Sequence, residues 1–230
     1  MSALYIVSTP IGNRQDITLR AIEVLDQVNY LLCEDTRKTK LLLDFYHIKK
    51  SPMLISFYEP VEEQKIPQII GWLREGKNVG LVTNAGTPLL SDPGFKLVRA
   101  CVKENIQVIP IPGASALLAA LVVSGLPTDK FMFLGFLPKK SGKKERLLNN
   151  VVEILKIQTQ TVILYESPFR IIKTLELLQK LMPESQVVIC RELTKKFEGV
   201  IRGKPEELIK KLNQGKVKGE VVILISTMSR

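Results

Sequence analysis

NVGLVTNAGTPLLSDPGFKLVRACVKENIQVIPIPGASA, residues 78–116, is the stretch whose reading decides the fold. Asn78–Val82 is a short apolar run of the kind that forms a strand buried on both faces. A loop rich in Gly and Pro, Thr83–Gly94, leaves it. Phe95–Asn105 then carries helical spacing, and Ile106–Ile111 is a second apolar run. Strand, loop, helix and strand in this order make a βαβ unit, whose strands run parallel. Pro110, Pro112 and Gly113 break the chain, and Ala114–Val123 reads as a helix of small and apolar residues.

Working outward, the same alternation extends in both directions. Upstream, strands are expected at Leu4–Val7, Tyr30–Cys33 and Met53–Phe57, with helices over Thr18–Val28, Thr36–Phe45 and Glu62–Glu75. Downstream, strands are expected at Phe131–Gly135, Thr161–Tyr165, Gln186–Cys190 and Glu220–Ser226, with an extended Phe197–Arg202. Helices fall over Glu145–Lys156, Phe169–Leu181 and Pro205–Leu212, and a basic loop over Pro138–Lys144. The fold class is α/β in two lobes, 1–112 and 113–230, each a mainly parallel or mixed sheet with flanking helices.

Composition narrows the function. The 45% hydrophobic content supplies a core, and no apolar run reaches the roughly 18 residues a membrane span needs. Met1–Pro10 has no basic n-region, so a cytoplasmic chain is expected. Cys33, Cys101 and Cys190 are far apart and flanked by apolar residues, which predicts buried free thiols. His47 is the single histidine and reads as a turn residue; neither a His-based metal site nor a Ser–His–Asp triad is expected, and no metal cluster is visible. The net charge of +10 is uneven: residues 1–115 carry 13 Lys/Arg against 12 Asp/Glu, residues 116–230 carry 20 against 11. Such a basic half suits an anionic partner, nucleic acid first.

Three loops leave strand ends, where parallel sheets bind ligands: Thr9–Asn13, Thr83–Gly94 and Ile111–Ala116. Glycine permits close backbone approach and proline fixes the path, so together they suit a preformed pocket. No two glycines are separated by one residue, which excludes GxGxxG, and GxxxxGK[ST] is absent as well. Acid–base clusters follow other strands: Glu34-Asp35-Thr36-Arg37, Glu166-Ser167-Pro168-Phe169-Arg170 and Arg191-Glu192-Leu193-Thr194-Lys195. For the first, helix capping or a local ion pair is expected at least as much as a functional role; for the others, interlobe salt bridges compete with substrate positioning. Lys139, Lys140, Lys143, Lys144 and Arg146 form a dense basic run suited to phosphate contacts. Aromatics make up only 6%, so extensive base stacking is not expected.

STPIGN, CEDTR, TNAGTPLLSDPG, PIPGASALLAAL, GFLP, YESPFR and RELTKKFE, in that order from Leu4 to about Ile225, resemble the ribosomal RNA small subunit methyltransferase I family, of the tetrapyrrole methylase (class III methyltransferase) fold. The resemblance implies a two-lobed homodimer with S-adenosylmethionine in the cleft between lobes. It also implies 2′-O-ribose methylation of a cytidine in the decoding region of 16S ribosomal RNA. Carried over, the cofactor contacts are Pro10, Gly86, Thr87, Leu90, Ser115 and Ala116, with Leu164 or Tyr165. Asn84 stands where the family commonly has Asp; an amide can hydrogen-bond there but cannot act as a base.

The ribose hydroxyl loses its proton in such a transfer, and with one histidine a carboxylate or lysine is the expected acceptor. Glu34, Asp35, Glu166 and Glu192 are the carboxylate candidates. Arg37, Arg170, Arg191 and Lys195 are candidate anchors for substrate. Two other readings compete: a small-molecule, tetrapyrrole-type methyltransferase of the same fold, and a noncatalytic RNA-binding or ribosome-assembly protein. The basic second half weighs against the first, and the three ligand-shaped loops against the second.

Overall fold

The computed structural model describes residues 2–215 and 218–227. The chain forms two compact units, Met1–Ser115 and Ala116–Arg230. The first alternates strands and helices: β1 (Ala3–Val7), α1 (Leu19–Gln27), β2 (Tyr30–Cys33), α2 (Thr36–Phe45), β3 (Met53–Ser56), α3 (Glu59–Arg74), β4 (Val79–Val82), α4 (Phe95–Lys103) and β5 (Gln107–Ile111). All five strands are parallel, in the order β3-β2-β4-β1-β5.

Strand alternation sorts the apolar residues to two faces. Leu4, Leu32, Val79 and Leu81 meet Ile69, Ile70 and Leu73 of α3 and Leu97 and Cys101 of α4. Val7, Leu31, Cys33, Val82 and Ile111 meet Ala21, Val24 and Leu25 of α1 and Leu43 of α2. Each such fully buried side chain contributes roughly 1.5–3 kcal/mol relative to exposure. Because both faces are covered, the strands read as unbroken apolar runs, which made them legible. Thr18 caps α1 by accepting the Ala21 N–H at 3.1 Å. Helix α3 starts at Glu59, before the expected Glu62, and continues through Pro67. Its buried stripe of Ile69, Ile70 and Leu73 outweighs the one backbone bond that Pro67 cannot donate.

The second unit comprises α5 (Ala116–Ser124), β6 (Phe131–Phe136), α6 (Ser141–Ile157), β7 (Thr161–Glu166), α7 (Ile171–Leu181), β8 (Gln186–Arg191), β9 (Gly199–Gly203), α8 (Pro205–Leu212) and β10 (Val221–Ser226). Its sheet runs β6-β7-β10-β8-β9, and only the β6–β7 pair among these neighbours is parallel. Leu148, Val151 and Leu155 of α6, Ile171, Leu175 and Leu178 of α7 and Leu208 of α8 cover one face. Helix α5 packs on the other, against β7, β8 and β10.

The basic loop expected over Pro138–Lys144 is corrected: α6 begins at Ser141 and includes Lys143 and Lys144. Lys144 lies on the stripe of Leu148, Val151 and Leu155 and is 7% exposed, so its stem belongs to the interior. The three cysteines are free and buried, as expected. Burial pushes the Cys101 and Cys190 thiols up to about 11, which leaves them inert. His47 follows α2 in a left-handed turn at φ 54°.

Gly94 at the start of α4 offers no side-chain cap. Glu62 supplies one from α3: its buried Oε1 accepts the N–H groups of Gly94, Lys96 and Leu97 at 3.2, 3.0 and 3.2 Å. A carboxylate at a helix N-terminus meets both the orphan amides and the positive end of the dipole. Glu62→Ala is expected to cost about 2–3 kcal/mol in urea unfolding at neutral pH, because two buried donors and one partly buried donor lose their acceptor. Glu62→Gln, which keeps an acceptor oxygen, is expected to cost less than half as much.

Candidate active site

At the carboxyl edge of the first sheet, the loops after β1, β4 and β5 are tied together. Thr9 and Gly86 form an isolated bridge, with N–H···O distances of 2.9 and 3.0 Å in the two directions. The Thr87 hydroxyl donates to the Ala114 carbonyl at 3.0 Å, which leaves the Ser8 hydroxyl, also 3.0 Å away, as donor to Thr87. Thr9 Oγ1 reaches the Thr83 carbonyl at 3.3 Å. Gly113 passes so close to β1 that a Cβ there would lie 2.9 Å from Ser8 Cβ. Among the described residues, the Ser115 hydroxyl is the buried side-chain polar atom without a hydrogen-bond partner. It lies next to Ala114 in this knot.

The long loop stores strain. Leu89 and Ser91 adopt φ of 72° and 70°, and Gly86 and Gly94 lie at 85° and 127°. Non-glycine residues in the left-handed region cost about 1–3 kcal/mol each and concentrate at functional sites. At Gly94 a Cβ would lie 2.6 Å from Leu81 Cδ2, so only glycine fits.

Next to this knot, β2 delivers Glu34 and Asp35. Asp35 caps α2, accepting the Arg37 and Lys38 N–H groups at 3.0 and 3.4 Å, and pairs with the Arg37 guanidinium at 3.2 Å. That side-chain bond, with the backbone bonds, holds the Asp35 carboxyl below its ordinary value. Asp35 thus serves both as the helix cap and in the local ion pair expected of it. Glu34 accepts the Asn84 amide at 2.7 Å. Asp92, near the end of the long loop, was absent from the expected set. Burial, and then the nearby Glu34 charge, raise its carboxyl from 3.8 to about 6.

The family model of the tetrapyrrole (corrin/porphyrin) methylases matches residues 3–209. This chain belongs to the tetrapyrrole methylase family. It is similar to the ribosomal RNA small subunit methyltransferase I of Hydrogenobaculum sp. strain Y04AAS1, 48% identical over 97% of this chain and 95% of that protein. It also resembles the same-named protein of Thermotoga maritima, 43% identical over 98% and 99%. Among solved structures, the methyltransferase CobJ superposes with a TM-score of 0.72 at 15% identity, covering 100% of this chain and 96% of that one. The Thermus thermophilus uroporphyrin-III C-methyl transferase, complexed with S-adenosyl homocysteine, gives 0.65 at 16% identity, covering 98% of each chain. At such identities the superpositions show the fold alone.

Several residues expected to serve this tetrapyrrole methylase share the carboxyl edge: Pro10, Gly86, Thr87 and Ser115, with Glu34 beside them. Leu90 lies exposed on the same long loop, and Ala116 opens α5. The second unit is sorted differently. Leu164 is fully buried in the core against α6 and α7, so its side chain is not available to a ligand. Tyr165 points away from that core and meets Phe133 and Phe136 edge-on at 5.0 and 5.4 Å.

The expectation of Glu166 as a proton acceptor is corrected. It is 1% exposed, and both oxygens are engaged. Oε2 accepts from Thr174 Oγ1 at 2.7 Å and Lys144 Nζ at 3.4 Å; Oε1 accepts from the Ser167 N–H at 2.8 Å and pairs with Arg170 at 2.5 Å. Lys144 is likewise corrected from a phosphate contact to the buried partner of this carboxylate. A buried lysine is tolerable only with such a partner, whereas Lys139, Lys140, Lys143 and Arg146 remain exposed. Arg170 is held at one end of the cluster, donating also to the Leu137 carbonyl at 3.3 Å.

Glu192 and Lys195 sit in a tight loop, with Glu192 at φ 50°. Glu192 accepts the Glu220 N–H at 2.8 Å and Lys195 Nζ at 3.1 Å, while Lys195 also pairs with Glu220 at 2.9 Å. The Glu220 backbone bond leads in lowering the Glu192 carboxyl, against the opposing effect of burial. Arg191 lines a separate cavity of about 220 Å³ with Ile189, Gly199, Ile201 and Lys211. Lys144→Met is expected to destabilise the fold by about 3–5 kcal/mol in chemical denaturation, since Glu166 is left buried and under-compensated. The double variant with Glu166→Gln is expected to recover part of that loss, which a double-mutant cycle measures.

Proposed function

We propose that this chain transfers the methyl group of S-adenosylmethionine to the ribose 2′-hydroxyl of a cytidine in the decoding region of 16S ribosomal RNA, working as a cytoplasmic homodimer. Family membership and the similarity to ribosomal RNA small subunit methyltransferases support methylation and the ribosomal substrate. The observation that carries the cofactor assignment is the buried, unpartnered Ser115 hydroxyl, set among strained and interlocked loops. A buried hydroxyl left unpaired is costly, and a bound ligand with a hydrogen-bonding group removes that cost. The glycines at 86 and 113 let the loops themselves close up, against Ile11 and Ser8. Ser115, Thr87, Gly86 and Pro10 would hold the cofactor, with Leu90 of the long loop completing the contacts that the first unit supplies.

When bound, S-adenosylmethionine supplies an electrophilic methyl group on a sulfonium. The protein's task is to hold the ribose oxygen in line with that methyl, an orientation effect that supplies several kcal/mol or more. No described helix is long and apolar enough to cross a membrane. The +9 balance of residues 116–230 and the exposed Lys139, Lys140, Lys143 and Arg146 suit phosphate contacts, with Arg170, Arg191 and Lys195 as further anchors. Exposed Leu118, Val122 and Val123 on α5 are consistent with self-association.

Ser115→Ala tests the cofactor reading, because its two effects oppose. Removing an unpaired buried hydroxyl leaves the free protein as stable or up to about 1 kcal/mol more so. Affinity for S-adenosylmethionine by calorimetry is expected to fall about tenfold, the value of one hydrogen bond. Replacing Lys139, Lys140, Lys143 and Arg146 together by Ala is expected to weaken RNA binding and flatten its salt dependence, with cofactor affinity unchanged. The reaction itself is tested on small subunits from a strain lacking the enzyme, with the product mapped by mass spectrometry. Label on a base or on protein would refute the 2′-O assignment, and label only on a tetrapyrrole would favour the small-molecule reading.

A further inference from the structure

The second unit holds a cavity of its own. In the β8–β9 pairing, Ile189 stands opposite Ile201 and Arg191 opposite Gly199, so strand alternation puts all four on one face of the hairpin. Helix α8 packs on that face through Leu208, Ile209 and Leu212. The packing closes at the isoleucines and opens at two glycines. Gly199 sets no side chain opposite Arg191, and Gly215 sets none beyond the end of α8. The result is a cavity of about 220 Å³, to which Lys211 also contributes. A Cβ on Gly199 would lie 3.8 Å from Arg191 Nη2, and a Cβ on Gly215 would meet nothing within 4 Å.

Neither cation of this cavity has an ion-pair partner among the described residues. The Arg191 guanidinium makes no hydrogen bond there, and Lys211 Nζ reaches the Arg202 carbonyl at 3.4 Å. The neighbouring acids are engaged by other groups. Glu192 feels the Arg191 charge beyond ion-pair distance, while it accepts from Lys195 and the Glu220 N–H. Glu198 accepts the Thr194 N–H. On α8, Lys210 pairs with Glu206, in contrast to Lys211 beside it.

Resting on the ribosomal RNA reading, we propose that this cavity takes one unpaired nucleotide of the RNA strand, its phosphate against Arg191 and Lys211 and its base against Ile189, Ile201 and Leu212. The lining carries the proposal. Unpaired guanidinium donors and an ammonium call for an anion. The three aliphatic walls beside them call for a flat, weakly hydrated group joined to that anion, and a nucleotide joins the two. The volume is below the roughly 300–1,000 Å³ of pockets that hold a whole drug-sized ligand, which matches a single base. A base within a duplex is paired and stacked, so only an unstacked one can enter. The positive surplus of residues 116–230 favours the strand over a free mononucleotide, because neighbouring phosphates add contacts of their own. Aliphatic walls also grip a base without an aromatic platform, in keeping with a chain that is only 6% aromatic.

The test follows binding of a short single-stranded RNA to the full chain by fluorescence anisotropy across salt concentrations. The same strand annealed to its complement and a free nucleoside monophosphate serve as comparisons. Arg191→Met and Lys211→Met are each expected to weaken single-strand binding about tenfold and to flatten its salt slope by about one. Gly199→Val and Gly215→Leu fill the space and leave the charges, so they are expected to weaken binding with the slope unchanged. Lys210→Met, which removes a charge outside the cavity, is expected to stay within about twofold of the parent. The duplex is expected to bind more weakly than the strand and to be insensitive to the glycine variants. Melting temperatures check folding; Lys211 and Gly215 are exposed, so their variants keep the test standing should Arg191→Met fail to fold. Parental single-strand affinity in both glycine variants overturns the proposal, as does an equal loss in Lys210→Met or a mononucleotide bound as tightly as the strand. A parental chain that binds no RNA overturns instead the reading beneath it.

Discussion

The knot of loops at the carboxyl edge depends on how the first sheet ends. Its five parallel strands are covered on both faces by helices, and because they are parallel the loops that follow them gather at one edge. At that edge the loops do not hang separately. The Thr9–Gly86 bridge joins the β1 and β4 loops, and Thr87 joins the β4 loop to the β5 loop through Ala114. Each bond is ordinary in strength, about 1 kcal/mol net. Together they hold Leu89 and Ser91 in conformations that an isolated loop would abandon.

The second unit uses the same element types under a different constraint. Strand β10 lies antiparallel to both β7 and β8, which makes the sheet mixed. The end of β7 is dominated by a buried carboxylate with two cationic partners, Lys144 and Arg170. One negative charge against two positive ones leaves an excess at the Arg170 end, adding to a unit already rich in exposed lysine. Burial therefore separates the cations into those that organise the interior and those that face solvent.

Much of this was legible in the residues because the physics is local. Apolar runs of four to six residues and helices with strong periodicity marked the elements, and Gly–Pro loops at strand ends marked the ligand edge. What escaped depends on side chains meeting across long separations. Lys144 reads as one lysine in a basic run, and only the tertiary fold puts Glu166 and Thr174 beneath it. Glu166 looks like a reactive acid after a strand until its four donors are seen. Asp92 is simply one residue of the long loop in the sequence; its burial and its nearness to Glu34 are properties of the fold. The boundary of α6 shifted for a related reason, since the burial of Lys144 beside Leu148 drew the helix into a charged run.

The cross-element cap from Glu62 bears on how the long loop behaves in time. The loop is anchored to β1 at Gly86 and to α3 at Gly94, so neither end is free to swing as a flap. Its conformational entropy has been surrendered during folding, before any ligand arrives. A molecule entering this edge meets walls already in place, and the cost of arranging them does not weaken its binding.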